Sequence, residues 1–289
     1  MYPASFEYHR AATVEEAVGL LTRYKDDAKL LAGGHSLIPM MKLRLAQPKH
    51  LIDIGRVSGL TGVKEEGGQF VIGALTTHAT VAASEELKAA CPILVEAAGL
   101  IADQQVRNRG TIGGSLANAD PASDYPTLIT ALDATLTATG PKGERQIEAK
   151  KFFKDLFTTA LKRDEVLTSI TVPAYGNMPG MGSAYLKHRH PASSYAVVGV
   201  AAMLGLENGK VTRAVVVVGG ATANPIHAKS VEEALMGMEP TEENIAAAAE
   251  KMDIEATMGD AYASSEYRAH LAKVMTKRAL MLAAQRAGA

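Results

Sequence analysis

Apolar and polar positions follow different patterns in the two parts of the chain. Up to about residue 176, short apolar runs of strand length are separated by segments with helical spacing, such as Val14, Val18 and Leu21. Thr13 precedes this helical stripe and Glu16 follows three residues later, which is the pattern of a capping box. The first fifty-odd residues are therefore predicted to form a compact α/β unit.

The rest of this first part is predicted to mix hairpins with short helices. Turn residues join two strands at Glu65-Glu66-Gly67-Gly68 and again at Gly140-Pro141-Lys142-Gly143. The predicted helices of the whole part begin near Val14, Leu37, Thr77, Pro92 and Pro126. The predicted strands are 29–32, 51–54, 62–64, 69–73, 135–139, 145–148 and 166–172.

A cluster of glycine and proline in residues 175–182 predicts a linker. Beyond it, strands are predicted at 183–188, 196–206 and 211–218, with Asn208-Gly209 as the hairpin turn between the last two. Three helices should follow, and the first two are predicted to begin at Ser230 and Thr241.

The fold class is therefore predicted to be α+β with two domains. The first domain covers residues 1–176, with subdomains of about 1–56 and 57–176. The second covers residues 177–289 and is expected to be a three-stranded antiparallel sheet with helices.

Two Gly-Gly pairs, each followed by a hydroxyl residue, are the main chemical candidates. We call Ala32-Gly33-Gly34-His35-Ser36 the first Gly-Gly segment and Thr111-Ile112-Gly113-Gly114-Ser115 the second. The second belongs to a glycine-rich stretch, residues 107–124, that is predicted to be an irregular turn. Backbone N–H groups and hydroxyls in such turns suit a phosphate. The Gly-x-Gly-x-x-Gly pattern is absent, so a Rossmann dinucleotide site is not predicted.

Composition excludes several classes of protein. The net charge of −1 argues against a nucleic-acid-binding surface, and no apolar run is long enough to span a bilayer. No secretory signal is evident at the N-terminus, so a cytoplasmic location is expected. Cys91 is the single cysteine, which rules out an intrachain disulfide and an iron–sulfur cluster held by this chain alone. His188 and His190 have the spacing of metal ligands but lack a nearby carboxylate or thiol, so no metal site is predicted.

Three ordered motifs carry a family resemblance. They are residues 32–39 (AGGHSLIP), 105–115 (QVRNRGTIGGS) and 118–124 (NADPASD). Together they resemble the FAD-binding medium subunit of molybdenum hydroxylases, of the carbon monoxide dehydrogenase, quinoline oxidoreductase and nicotine dehydrogenase type, which are relatives of xanthine dehydrogenase. The resemblance covers nearly the whole chain. It implies a vanillyl-alcohol-oxidase-type (PCMH-type) FAD-binding domain, followed by a C-terminal flavoprotein domain of the carbon monoxide dehydrogenase type.

The resemblance also implies which residues bind FAD. The two Gly-Gly segments would hold the pyrophosphate and ribityl, Ile101 and Tyr195 would lie at the flavin, and Leu167 would contact the adenine side. Asp124 would accept a hydrogen bond from the cofactor, and Lys187 would lie near the isoalloxazine. The full set implied is Ala32, Gly33, Gly34, His35, Ser36, Leu37, Ile101, Thr111, Ile112, Gly113, Gly114, Ser115, Asn118, Asp124, Leu167, Lys187 and Tyr195.

The function implied is electron transfer within a larger complex. FAD on this chain would receive electrons from two [2Fe–2S] clusters on a small subunit and pass them to an external acceptor. A large molybdopterin subunit would oxidise the substrate, and a dimer of heterotrimers is implied. The chain would then have no catalytic acid, base or nucleophile of its own. Two alternatives stay open: a stand-alone FAD-dependent oxidoreductase with its own small substrate, and a non-enzymatic assembly module.

Overall fold

A three-stranded parallel sheet forms the N-terminal part of the computed structural model, which describes residues 1–288. Strand β3 lies between β1 and β2 and pairs with both in parallel. As predicted, the hydroxyl of Thr13 accepts a hydrogen bond from the Glu16 N–H at the start of the first helix. The elements are β1 (Glu7–Arg10), α1 (Val14–Tyr24), β2 (Ala28–Leu31), α2 (Leu37–Lys42) and β3 (His50–Asp53).

The next part is built on a five-stranded antiparallel sheet with the strand order β4-β5-β10-β6-β7. Short helices connect its strands, and both predicted hairpins are present. The elements are β4 (Val63–Glu66), β5 (Gln69–Gly73), α3 (His78–Ala82), α4 (Glu85–Ala90), α5 (Pro92–Leu100), α6 (Gln104–Arg107), α7 (Ile112–Asn118), α8 (Asp124–Ala131), β6 (Thr135–Gly140), β7 (Gly143–Glu148), α9 (Ala149–Phe152), β8 (Phe153–Asp155), β9 (Thr158–Thr159) and β10 (Val166–Pro173).

The C-terminal part has a four-stranded antiparallel sheet, not the three-stranded one predicted. The fourth strand has only two residues, too few to leave an alternating pattern in the sequence, and it pairs with the end of β13. The elements are β11 (Met181–Arg189), β12 (Ala196–Glu207), β13 (Lys210–Gly219), β14 (Ile226–His227), α10 (Lys229–Leu235), α11 (Glu242–Glu250) and α12 (Ser265–Ala287).

Helix α8 packs on the C-terminal sheet, and every one of its residues is buried. It lies against β12 and β13, where a Cβ added at Gly219 would be 2.0 Å from the Thr127 hydroxyl oxygen. On the other side of the sheet, α12 crosses β11 so closely that a Cβ at Gly182 would be 2.0 Å from the Ala283 carbonyl oxygen. Glycine in the strands therefore allows helices to pack directly on the backbone of the C-terminal sheet.

The glycine-rich stretch 107–124 is more regular than predicted. It contains the end of α6, all of α7 and the start of α8, so the prediction of an irregular turn is wrong. Ser230 was also predicted to cap a helix, but α10 begins at Lys229 without a side-chain cap. None of the helices described in residues 1–288 is both long and apolar enough to cross a membrane.

Candidate functional site

A cavity of about 840 Å³ lies where the N-terminal sheet, helix α7 and the loop between β11 and β12 come together. Most of the predicted site residues line it. Ile112 and Lys187 do not: Ile112 is fully buried in the core, and Lys187 is buried behind the cavity wall. The predicted residues at the cavity are Ala32, Gly33, Gly34, His35, Ser36, Leu37, Ile101, Thr111, Gly113, Gly114, Ser115, Asn118, Asp124, Leu167 and Tyr195.

The first Gly-Gly segment connects β2 to α2 at the rim of this cavity. Gly34 has a φ of +76°, a backbone conformation that glycine adopts without steric cost. Within the described chain, none of the backbone N–H groups of residues 33–36 donates a hydrogen bond to another protein atom. Unpaired N–H groups beside a cavity, next to the Ser36 hydroxyl, form a donor set suited to a phosphate.

The second Gly-Gly segment is the start of a helix. Thr111 is the N-cap of α7, and its hydroxyl oxygen accepts a hydrogen bond of 3.1 Å from the Gly114 N–H. The N–H groups of Ile112 and Gly113 donate to the carbonyl oxygens of Thr76 and Ala74. The expectation that both segments supply free N–H groups is therefore wrong for the second. What this segment offers to the cavity is side chains, chiefly the hydroxyl of Ser115.

The glycines of the second segment are explained by close packing. A Cβ at Gly113 would be 2.4 Å from the Ala74 Cβ and 2.6 Å from its carbonyl oxygen. A Cβ at Gly114 would be 2.7 Å from the Thr111 hydroxyl oxygen. Only glycine lets the start of α7 pack on the residue that follows β5.

The two segments contact each other through the turn before α7. A Cβ at Gly33 would be 2.1 Å from the carbonyl oxygen of Arg109 and 2.8 Å from the Cα of Gly110. A Cβ at Gly110 would in turn be 2.6 Å from Nε2 of His78, and the backbone N–H of His78 donates to the Gly110 carbonyl oxygen. Glycine at position 33 therefore allows backbone-to-backbone contact between the two sides of the cavity, and glycine at position 110 leaves room for the His78 ring.

A buried ion pair lies in the cavity wall at the start of α8. Asp124 is 5% exposed, and the Lys187 Nζ is 2.9 Å from Oδ1 and 3.0 Å from Oδ2. The Tyr185 hydroxyl also donates to Oδ1, at 2.6 Å. Burial raises the pKa of Asp124, while the Lys187 ammonium and the Tyr185 hydroxyl act in the opposite direction. The carboxylate that faces the cavity is thus compensated by a cation behind it.

The loop after β11 places Tyr195 at the cavity. The loop is closed by hydrogen bonds from the His190 N–H to the Tyr195 carbonyl oxygen, 2.8 Å, and from the Ser194 N–H to the His190 carbonyl oxygen, 2.9 Å. Lys187 holds it from β11 by donating to the Ser194 carbonyl oxygen at 2.8 Å. Burial and the nearby Asp120 raise the pKa of Tyr195. Lys187 therefore connects the Asp124 carboxylate with the Tyr195 loop.

His78 is a cavity residue that sequence reasoning missed. It is 5% exposed, and its Nδ1 has no hydrogen-bond partner in the described chain. Burial lowers its pKa to about 4, and His35 and Arg107 add to the effect. The ring is therefore neutral near pH 7. A single histidine after a helix cap gives no pattern from which this could have been predicted.

Family models match both parts of the chain. Residues 4–175 match the FAD binding domain in molybdopterin dehydrogenase. Residues 183–283 match the CO dehydrogenase flavoprotein C-terminal domain. FAD is therefore the cofactor of this chain, and the unpaired N–H groups of residues 33–36 are a donor set that fits its pyrophosphate.

Individual relatives match over nearly their full length. The carbon monoxide dehydrogenase medium chains of Hydrogenophaga pseudoflava and Afipia carboxidovorans are 41% and 40% identical, covering 97% and 99% of both chains in each comparison. A solved carbon monoxide dehydrogenase from Hydrogenophaga pseudoflava, in a form lacking the Mo-pyranopterin moiety of the molybdenum cofactor, contains a chain that is 43% identical. It aligns with a TM-score of 0.94 over 99% of both chains. The chain thus belongs to the family of FAD-binding medium subunits of molybdenum hydroxylases, and is an oxidoreductase flavoprotein.

Proposed function

We propose that this chain is the electron-transfer subunit of a heterotrimeric molybdenum hydroxylase, in the cytoplasm. It receives electrons from [2Fe–2S] clusters on a small subunit and passes them to an external acceptor, while a large molybdopterin subunit oxidises the substrate. The names of the relatives support this division, since both are medium chains. Cys91 also supports it, because one buried thiol cannot hold an iron–sulfur cluster.

The observation that carries the proposal is the donor set around the cavity. Bound FAD supplies one- and two-electron redox chemistry. The unpaired N–H groups of residues 33–36 would hold its pyrophosphate, together with the hydroxyls of Ser36 and Ser115. Leu167 would contact the adenine side, and Ile101 would pack at the flavin. Tyr195, from the loop after β11, would lie at the ring.

Lys187 acts through Asp124 and not by direct contact with the flavin. Its side chain is 3% exposed, and its ammonium is already bonded to the Asp124 carboxylate and the Ser194 carbonyl oxygen. In this position it keeps Asp124 ionised as a hydrogen-bond acceptor at the cavity and holds the Tyr195 loop in place. Lys187 is therefore a positioning residue.

Reconstitution tests the electron-transfer role. The isolated chain loaded with FAD should not be reduced by substrate under anaerobic conditions. Adding the iron–sulfur and molybdenum subunits should make the flavin absorbance bleach on addition of substrate, and the mass of the complex should be that of a dimer of heterotrimers. Bleaching of the isolated chain by a small substrate would contradict the proposal and favour a stand-alone oxidoreductase. A chain that takes up no FAD when refolded with it would favour an assembly module.

A paired substitution tests the role of Lys187. Lys187→Met leaves the buried Asp124 carboxylate without its cation, which costs about 3–5 kcal/mol in buried pairs. Lys187→Met combined with Asp124→Asn removes both charges and should recover most of that stability in urea unfolding. FAD affinity should stay low in both variants. If the single variant is as stable as the wild type, the ion pair has no such role.

A further inference from the structure

Three potential metal ligands meet on the N-terminal sheet, outside the FAD cavity. Glu7 and His9 are two residues apart on β1, so their side chains are on the same face of the strand. His50 on β3 is the register partner of Glu7. His9 and His50 are 41 residues apart in the sequence, which explains why no metal site was predicted there.

The three candidate ligand atoms lie within 3.8 Å of one another. His9 Nε2 is 3.0 Å from His50 Nδ1, and Glu7 Oε2 is 3.4 Å from His50 Nδ1 and 3.8 Å from His9 Nε2. Ligands of a tetrahedral Zn²⁺ with bonds of about 2.0–2.1 Å are about 3.3–3.4 Å apart. A cation at the centre of the three atoms would therefore need shifts of only a few tenths of an ångström.

The surroundings of the cluster hold the two imidazoles in place. The ring of Tyr24 stacks on His50 with centroids 3.7 Å apart and on His9 with centroids 5.0 Å apart. The side chains of His9 and His50 are 21% and 16% exposed, whereas that of Glu7 is 72% exposed. Packing on Tyr24 thus holds the two imidazoles in place, and the Glu7 side of the cluster is open to water.

Either a proton or a metal ion can join the two facing imidazoles. Without metal, the facing nitrogens of His9 and His50 can be joined only if one donates a proton and the other accepts it. A divalent cation can instead accept lone pairs from both rings while its charge is balanced by Glu7. Two imidazoles and one carboxylate are a ligand set used by zinc sites with an open position.

We propose that Glu7, His9 and His50 bind one divalent transition-metal ion, of the Zn²⁺ class, with water completing the tetrahedron. The ion joins the first strand of the chain to the central strand of the parallel sheet. Tyr24, which packs on both imidazoles, directly precedes Lys25 and Asp26, and those two residues line the FAD cavity. Metal binding therefore also stiffens one edge of the cavity.

Metal titration of the whole FAD-loaded chain tests the proposal. After treatment with a chelator, Co²⁺ should bind with a stoichiometry of one and give the visible absorption of tetrahedral cobalt, and Zn²⁺ should displace it. His9→Gln and His50→Gln should each weaken Co²⁺ binding at least tenfold. Exposed His270 on α12 provides the matched control, and His270→Gln should bind Co²⁺ as the wild type does.

A second control addresses the other histidine–carboxylate pair. His227 Nδ1 is 2.9 Å from Glu232 Oε1, but no third ligand joins them among the described residues. His227→Gln should therefore leave Co²⁺ binding unchanged. The proposal is overturned if His227→Gln removes binding, if His50→Gln leaves it intact, or if the wild-type chain takes up no cobalt.

One measurement needs no variant and so does not depend on variant folding. X-ray absorption at the zinc edge of the Zn²⁺-loaded wild-type chain should show nitrogen and oxygen ligands, with outer-shell scattering from two imidazoles. Scattering from one imidazole or none would overturn the assignment. The midpoint of thermal unfolding should also rise on Zn²⁺ addition in the wild type and stay constant in His9→Gln.

Discussion

The two Gly-Gly segments share a sequence pattern and differ in what their glycines do. In the first, the N–H groups of residues 33–36 are unpaired and face a cavity, and Gly34 adopts a positive φ. In the second, the N–H groups are used within the protein, and Gly113 packs on Ala74. The backbone N–H groups of the first segment are thus left for a ligand, whereas those of the second are bonded within the protein.

This difference teaches that a Gly-Gly pair does not by itself indicate a phosphate site. The deciding observation is where each backbone N–H group finds its partner. By that criterion the first segment offers unpaired backbone donors beside the cavity, and the second contributes side chains from the start of a helix. Three substitutions and one change of pH test whether the two segments differ in this way.

The largest effect is expected from Gly113→Val. Its Cβ would be 2.4 Å from the Ala74 Cβ and 2.6 Å from a backbone oxygen that cannot move aside. We expect a loss of about 3 kcal/mol in the free energy of unfolding of the FAD-free chain, measured in urea. Gly19→Ala is the control, since the added Cβ has open space in α1 and should stabilise the helix by up to about 1 kcal/mol. Unchanged stability of Gly113→Val would mean that this glycine serves a ligand after all.

Acid should loosen the contact between the two segments through His78. Its pKa is lowered to about 4 in the folded chain, against 6.5 when unfolded, so between these pH values the unfolded chain binds more protons. Stability contributed by neutral His78 is therefore present above pH 6.5 and falls as the pH drops toward 4. The full loss is about 3 kcal/mol at most.

Urea unfolding at several pH values checks this prediction. His78→Gln cannot take up the proton and should show a smaller fall in stability between pH 6.5 and 4 than the wild type. His270→Gln, at an exposed position on α12, should keep the wild-type dependence. If the unfolding free energy falls equally steeply with decreasing pH in His78→Gln and in the wild type, His78 does not cause the loss of stability in acid.

Gly34→Ala should act mainly on FAD. A left-handed conformation costs about 1–2 kcal/mol for a residue with a Cβ, and the added atom would displace the flexible Ile38 side chain. The resulting shift of the N–H groups should raise the FAD dissociation constant at least tenfold in fluorescence titration. Gly68→Ala is the control. Gly68 also has a positive φ, in the β4–β5 hairpin, and its added Cβ would have open space around it, so this variant should leave FAD affinity unchanged. Equal affinities of the two variants would contradict the role given to the first segment.

The smallest effect is expected from Thr111→Val, which keeps the side-chain shape and removes the hydroxyl. Loss of this N-cap should cost about 1 kcal/mol in the unfolding free energy. Thr77→Val removes the equivalent cap of α3 and gives the reference value for such a loss. If Thr111→Val leaves the free energy of unfolding unchanged, the hydrogen bond from the Gly114 N–H to Thr111 does not stabilise the protein. The second segment would then resemble the first, whose N–H groups have no protein partner within residues 1–288.

Local signals predicted much of this fold. The Thr13–Glu16 capping box, the Asn208-Gly209 turn and the alternating strands are all present, because each depends on residues close in sequence. Helix α7 was missed because two glycines lower its intrinsic helix propensity, by about 1 kcal/mol each relative to alanine. Its stability comes from packing on residues far away in the chain, which sequence spacing does not show.

The site could also be predicted only in part, because its residues are brought together by tertiary contacts. The family motifs predicted residues that do line the cavity, but they could not show that Lys187 is paired with Asp124 behind its wall. Nor could they indicate His78, whose environment depends on His35, Arg107 and Gly110 from other elements. Burial and pairing depend on tertiary contacts that a motif does not encode.

Helix α8 has a consequence for how the protein can be divided. A fragment of residues 1–176 would expose the face of α8 that packs on β12 and β13, and would retain Asp124 without the ammonium of Lys187. A fragment truncated near the linker is therefore not expected to bind the flavin on its own. Because α8 of the first region packs on β12 and β13 of the second, the two regions should melt in one cooperative transition, so that a sequence change in either lowers the yield of the whole flavoprotein.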